Sequence, residues 1–243
     1  MSGNRNIIVC GELVTVGCPV VLWTDSPNYS FYKTGKFNPH NDNLQQLQSR
    51  LKTFVLHHSV TYSAKETYNG LIGRGFSVNF ILDDDINEEG FATIYQCLDV
   101  KDGGWSHKPL NNLGPGIEIC YHPEYWTNSN LYSAEKIKNN NVQPHDVSED
   151  TIHGVTRKVF APTSAQVASL TCLLAAFCNT FPNIKAEFPR NIDGTILKTT
   201  LKHPEEYVGL MNHYNITKEK IDAMGLDLEA LEKDVTNLVS IKY

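Results

Sequence analysis

Hydrophobic and polar positions alternate in short blocks over the first part of the chain and stretch into helical spacing later. Ile7-Ile8-Val9, Val14-Thr15-Val16 and Val20-Val21-Leu22-Trp23 are apolar runs too short for helices. Gly11 and Gly17-Cys18-Pro19 punctuate them, which predicts three short strands joined by turns. Leu44 to Leu51 predicts a short polar-faced helix. The next block, Phe54-Val55-Leu56-His57-His58, is an apolar run that ends in two adjacent imidazoles. A buried strand of this kind carries ligand-type nitrogens to the rim of a sheet, where open α/β sheets build their sites. Ser63-Ala64-Lys65-Glu66 has capping-box spacing and predicts a helix from about Ala64 to Ile72, stopped by Gly73 and Gly75.

Beyond it, Ser77 to Leu82 and Ala92 to Cys97 predict two strands, with Asp83-Asp84-Asp85 as a solvated hairpin tip between them. The three acids lack EF-hand spacing. Ile117-Glu118-Ile119-Cys120-Tyr121 alternates with period two, so Glu118 and Cys120 share one face. Residues 122–160 are polar and predict an excursion with one short helix near Ala134; His122, His145 and His153 read as surface residues there. Thr163-Ser164-Ala165-Gln166 is a second capping box. It opens a helix to about Thr180 with Val167, Leu170, Leu174, Phe177 and Phe181 on one stripe. Tyr207 to Asn212 is another apolar run ending in a histidine, His213, and a loop over 215–222 follows. Leu228, Leu231, Val235 and Leu238 predict a C-terminal amphipathic helix. Strands interleaved with helices predict an α/β fold with a central mixed β-sheet flanked by helices. Residues 1–50 read as an N-terminal extension packed on a main domain of 51–243.

Composition narrows the classes of function. With 243 residues, 41% hydrophobic and 20% charged, the chain can bury a sizeable core. A net charge of −6 argues against a broad nucleic-acid footprint, and no run reaches the roughly 18 apolar residues of a membrane span. The start, Met1 to Asn6, lacks the pattern of a secretory signal, which leads us to expect a cytoplasmic protein. Six dispersed cysteines without a CxxC pair read as buried free thiols.

The chemistry lies in residues far apart along the chain. An acid in the middle of an apolar strand, Glu118, is either an edge-strand residue in water or a carboxylate held in a cleft and fit for proton transfer. Two runs end in His57 and His213, and Asp222 follows the second. Two imidazoles and a carboxylate match the three-protein-ligand pattern of catalytic zinc, although a chain with nine histidines offers other such triples. HExxH is absent.

Local words extend this reading. Val55-Leu56-His57-His58-Ser59-Val60-Thr61, Phe76-Ser77-Val78-Asn79-Phe80-Ile81-Leu82-Asp83, Gly116-Ile117-Glu118-Ile119-Cys120, and His213-Tyr214-Asn215-Ile216 with Lys220-Ile221-Asp222 occur in an order that resembles the type-2 N-acetylmuramoyl-L-alanine amidases. That family includes phage endolysins and bacterial muropeptide amidases and is related to the peptidoglycan-recognition proteins. The resemblance covers roughly Phe54 to Gly225. It implies a fold of that type and a zinc ion (Zn2+) held by His57, His213 and Asp222. It also implies Glu118 as the catalytic glutamate and Lys220 as the lysine that steadies the oxyanion. Asn79, Trp105 and His107 are expected as substrate-binding walls of a groove for peptidoglycan or a muropeptide. The implied role is a lytic amidase held in the cytoplasm until its release to the cell wall, with a recycling enzyme, a non-catalytic muropeptide-binding module or a zinc peptidase of another class as alternatives. Three departures stand out: Asn79 where many members carry His, Trp105-Ser106-His107 where many have Trp and His adjacent, and Ala223 where the third ligand is usually followed by Pro.

Overall fold

The computed structural model describes residues 3–240. In chain order its strands and α-helices are β1 (Asn6–Val9), β2 (Glu12–Thr15), β3 (Val20–Leu22), β4 (Phe37–Asn38), α1 (Leu44–Arg50), β5 (Thr53–His58), α2 (Ala64–Arg74), β6 (Phe80–Leu82), β7 (Ile94–Gln96), β8 (Gly103–Gly104), β9 (Gly116–Ile119), α3 (Ala134–Asn140), β10 (Val147–Ile152), β11 (Val155–Phe160), α4 (Ser164–Thr180), β12 (Gly209–Asn212) and α5 (Leu228–Ser240). Six of these strands form one mixed sheet in the order β12-β5-β9-β6-β7-β3. The run from β12 to β6 is parallel, β7 lies antiparallel to β6, and β3 pairs parallel with β7. The expected boundary at residue 50 is therefore crossed by the sheet itself, because β3 supplies one edge strand.

Register and side-chain alternation divide the sheet into two faces. Phe54, Leu56, Phe80, Leu82, Ile117, Ile119 and Leu210 face one side and pack with Leu170, Leu173, Leu174 and Phe177 of α4. Helix α4 is apolar almost all round because it lies between this sheet face and α5, and its capping box on Thr163 and Gln166 forms as the spacing predicts. Burying one such Leu or Phe side chain contributes about 1.5–3 kcal/mol. The opposite face carries Val55, His57, Ile81, Glu118 and Met211, and it is only partly covered, by α2 and by loops.

Four local expectations need correction. Helix α2 runs through Gly73 and ends at Gly75, whose φ of 73° supplies the left-handed residue that closes the last turn. Asp83-Asp84-Asp85 is no solvated tip. Asp83 accepts from the Ala64 backbone N–H, Asp85 accepts from Thr93, and Asp84 is buried. The excursion over 122–160 holds the β10–β11 hairpin besides α3, although its polar, solvent-facing alternation gave no apolar signal. His145 is buried rather than on the surface. It donates to the Ala161 carbonyl at 2.6 Å, lies 3.0 Å from Asp84 and stacks on Tyr132. All six cysteines are unpaired, with Cys10 and Cys172 only half-buried.

Candidate active site

Parallel register brings the chemistry together. Leu56 pairs with Asn212, so the next residues along, His57 and His213, leave neighbouring strand ends side by side. His57 pairs with Glu118 across β5 and β9, which puts both on the uncovered face. The edge-strand reading of Glu118 fails, because β9 lies between β5 and β6 and the carboxyl is 8% exposed. Asp222 comes back to the same place on the loop after β12. The backbone N–H of Tyr214 donates to the Asp222 carbonyl at 3.0 Å, and the Met224 N–H donates to Nδ1 of His58 at 3.2 Å. His58 thus steadies the ligand loop. The Asp222–Ala223 peptide bond is cis.

The three expected ligands converge. His57 Nδ1 lies 3.0 Å from both His213 Nδ1 and Asp222 Oδ2, and His213 Nδ1 lies 2.9 Å from the same oxygen. His57, His213 and Asp222 form the one buried group of possible metal ligands among the described residues. Three acceptor-type atoms crowded this closely repel unless a proton or cation sits among them, so the donor set fits a divalent ion. Burial, followed by the nearby His213, pushes His57 down to about 4, leaving its ring neutral at pH 7. For Asp222 burial acts upward, but hydrogen bonding within the cluster, from His213 first, outweighs it and holds the carboxyl well below the usual range. Neutral imidazole and ionised carboxylate are the forms that bind metal.

Glu118 behaves oppositely. Burial, and then the charge of Asp222, raises it to about 8, against a downward pull from Arg74 and Lys220. Glu118 and the triad line one cavity of about 1060 Å³, together with Lys220 and Trp105. Lys220 is solvent-exposed at the mouth. Trp105 is fixed by its Nε1–H, which donates to Asn38 at 2.9 Å, and Lys36 sits 5.6 Å over its ring. Along one wall, Arg74 lies 5.7 Å from the ring of the exposed Phe76, a basic and aromatic pair that was not anticipated from the sequence.

Two expected wall residues lie elsewhere. Asn79 is fully buried, and its amide donates to the carbonyls of Asp99 and Asp102 at 3.1 and 2.8 Å. It ties a loop to β6 and does not line the cavity. His107 is likewise fully buried, behind His57 and away from the cavity.

No protein-family model and no curated protein matches the chain. Similar solved structures include the N-acetylmuramyl-L-alanine amidase AmiD from E. coli, in complex with the substrate anhydro-N-acetylmuramic acid-L-Ala-D-gamma-Glu-L-Lys. It is 15% identical with a TM-score of 0.46, over 76% of this chain and 57% of that one. The endolysin N-acetylmuramoyl-L-alanine amidase LysCS from Clostridium intestinale URNW is 13% identical with a TM-score of 0.44, over 78% and 86% of the two chains. The Staphylococcus aureus hydrolase AmiA, in complex with its ligand, is 9% identical with a TM-score of 0.47, over 91% and 82%. The chain spans little more than half of the AmiD chain it matches. At these scores the likeness is one of broad outline, and it carries no argument about activity.

Proposed function

We propose that the chain is a zinc-dependent N-acetylmuramoyl-L-alanine amidase, which hydrolyses the amide between N-acetylmuramic acid and L-alanine of peptidoglycan. The observation that carries this reading is the shared position of Glu118 and the His57, His213 and Asp222 cluster on the floor of one open cavity. The order of the local words, from Val55 to Asp222, supports the choice of a muramoyl amide among the bonds such a centre could cut.

Zinc held by His57, His213 and Asp222 would supply Lewis acidity to an amide carbonyl and would acidify water. His57 and His213 would supply its nitrogen donors and Asp222 the anionic one. Glu118, starting as the carboxylate, would take the proton of the attacking water, hold it in the buried setting that favours its neutral form, and pass it to the leaving amine of L-alanine. The Lys220 ammonium, at the cavity mouth, offsets the charge that develops on the carbonyl oxygen. Trp105 walls the groove against which the sugar-peptide lies. The strand end at His57 and the loop at Asp222 belong to the 51–243 portion, to which residues 1–50 add an edge strand and the Lys36 side of the groove. A role in lysis, with the protein kept in the cytoplasm until release, is part of the same proposal.

Mass spectrometry of digested peptidoglycan tests this. The expected products are intact glycan with a free lactyl carboxyl and stem peptides with a free L-alanine amine. Cleavage inside the stem peptide would replace the proposal with a peptidase, and muropeptide binding without any cleavage would replace it with a recognition module.

A further inference from the structure

His107 is buried out of reach of any substrate, yet it touches the centre of the site. Its Nε2 lies 3.1 Å from the Gly114 carbonyl oxygen, and a carbonyl only accepts, so Nε2 carries the proton. The ring is fully buried and has no carboxylate among its hydrogen-bond partners, so the uncharged form suits the position. Its Nδ1 is therefore left as an acceptor. Two groups approach that lone pair, Ser106 Oγ at 2.8 Å and His57 Nε2 at 3.3 Å. The two imidazole planes are only 26° apart with centroids separated by 5.5 Å, so the rings meet edge to edge and the nitrogens point along the line between them. A His57 tautomer that donates through Nε2 fits this geometry, sharing the lone pair with the Ser106 hydroxyl. Its other nitrogen, Nδ1, keeps a lone pair, and this is the atom 3.0 Å from both His213 Nδ1 and Asp222 Oδ2. Glycine at 116 leaves room for this relay: a Cβ there would sit 3.0 Å from Cε1 and 3.1 Å from Nδ1 of His107, closer than side chains ordinarily pack.

We propose that His107 is a positioning residue: anchored on the Gly114 carbonyl, it selects the His57 tautomer and ring orientation that leave Nδ1 free to bind the metal. This rests on reading His57, His213 and Asp222 as a zinc site. Outer partners of ligating histidines typically contribute 10–100-fold to metal affinity.

Two substitutions and two readouts test it. His107→Leu fills the space and removes both hydrogen bonds. His107→Gln retains a planar acceptor and donor. Zinc affinity, measured by chelator competition, is expected to fall 10–100-fold in His107→Leu and to return to within a few-fold of wild type in His107→Gln. Nitrogen NMR of the metal-free wild type is expected to place the His57 ring proton on Nε2. An unchanged zinc affinity in folded His107→Leu would overturn the proposal, as would a wild-type His57 proton on Nδ1. Should His107→Leu not fold, the Gln variant and the wild-type spectrum decide. A wild-type protein that binds no zinc would instead remove the metal-centre reading, while the spectrum still reports on the tautomer.

Discussion

His153 donates its Nε2–H to the carbonyl oxygen of Lys220 at 2.9 Å, so the tip of the β10–β11 hairpin grips the loop that carries Asp222. Asp150, on β10, holds the other end of that loop by accepting from the Gly225 N–H at 2.8 Å, while its second oxygen accepts from Lys198 at 2.6 Å. The hairpin thus belongs to the framework of the site. His153→Ala should weaken zinc binding several-fold while shifting the melting temperature little, because His153 sits half-exposed at a hairpin turn. A metal titration beside a thermal melt checks this. Unchanged affinity would mean that the loop holds its shape unaided.

Glu118 links the chemistry to stability. Its folded-state pKa of about 8 exceeds the ordinary value of 4.5, so the protonated side chain favours the fold. That contribution is fully present below pH 4.5 and is lost as the pH rises through 8. Glu118→Gln, which stays neutral, should match the wild type in metal-free stability near pH 4 and exceed it above pH 8, by at most roughly 3–5 kcal/mol. Denaturant unfolding of the metal-free proteins at the two pH values checks the sign. The same substitution removes the proton acceptor and should reduce amidase turnover by about 100-fold or more.

How far the sequence leads depends on where each signal lives. Apolar runs ending at His57 and His213 place imidazoles at strand ends, and the parallel pairing of Leu56 with Asn212 then sets them side by side. Period-two alternation isolates Glu118, and the register across β5 and β9 turns that isolation into a shared face with His57. Asn79 and His107 mislead because residue type says nothing of direction; both spend their polar atoms on backbone carbonyls that only the fold supplies. The hairpin is equally invisible, since Glu149, Thr151, Thr156 and Lys158 face solvent and its few buried positions are too sparse to read as strands.

Asp84 and His145 make a fully buried pair, 3.0 Å apart, that ties the chain ahead of the hairpin to the end of β6. Both His145 nitrogens have partners, the Ala161 carbonyl and the Asp84 carboxyl, so the ring is held from both sides. Asp84→Ala leaves a buried His145 nitrogen without its partner and should cost about 1–3 kcal/mol, read from denaturant unfolding. A loss under about 1 kcal/mol would show that water or a neighbouring group takes over the role.

The central claim is that His57, His213 and Asp222 close on one divalent ion. Elemental analysis of the protein after zinc loading and removal of excess metal tests it most directly. We predict one zinc per chain in the wild type and loss of that zinc in His213→Ala with the fold retained. A His213→Ala protein that still holds one zinc per chain, or a wild type that holds none, would contradict it.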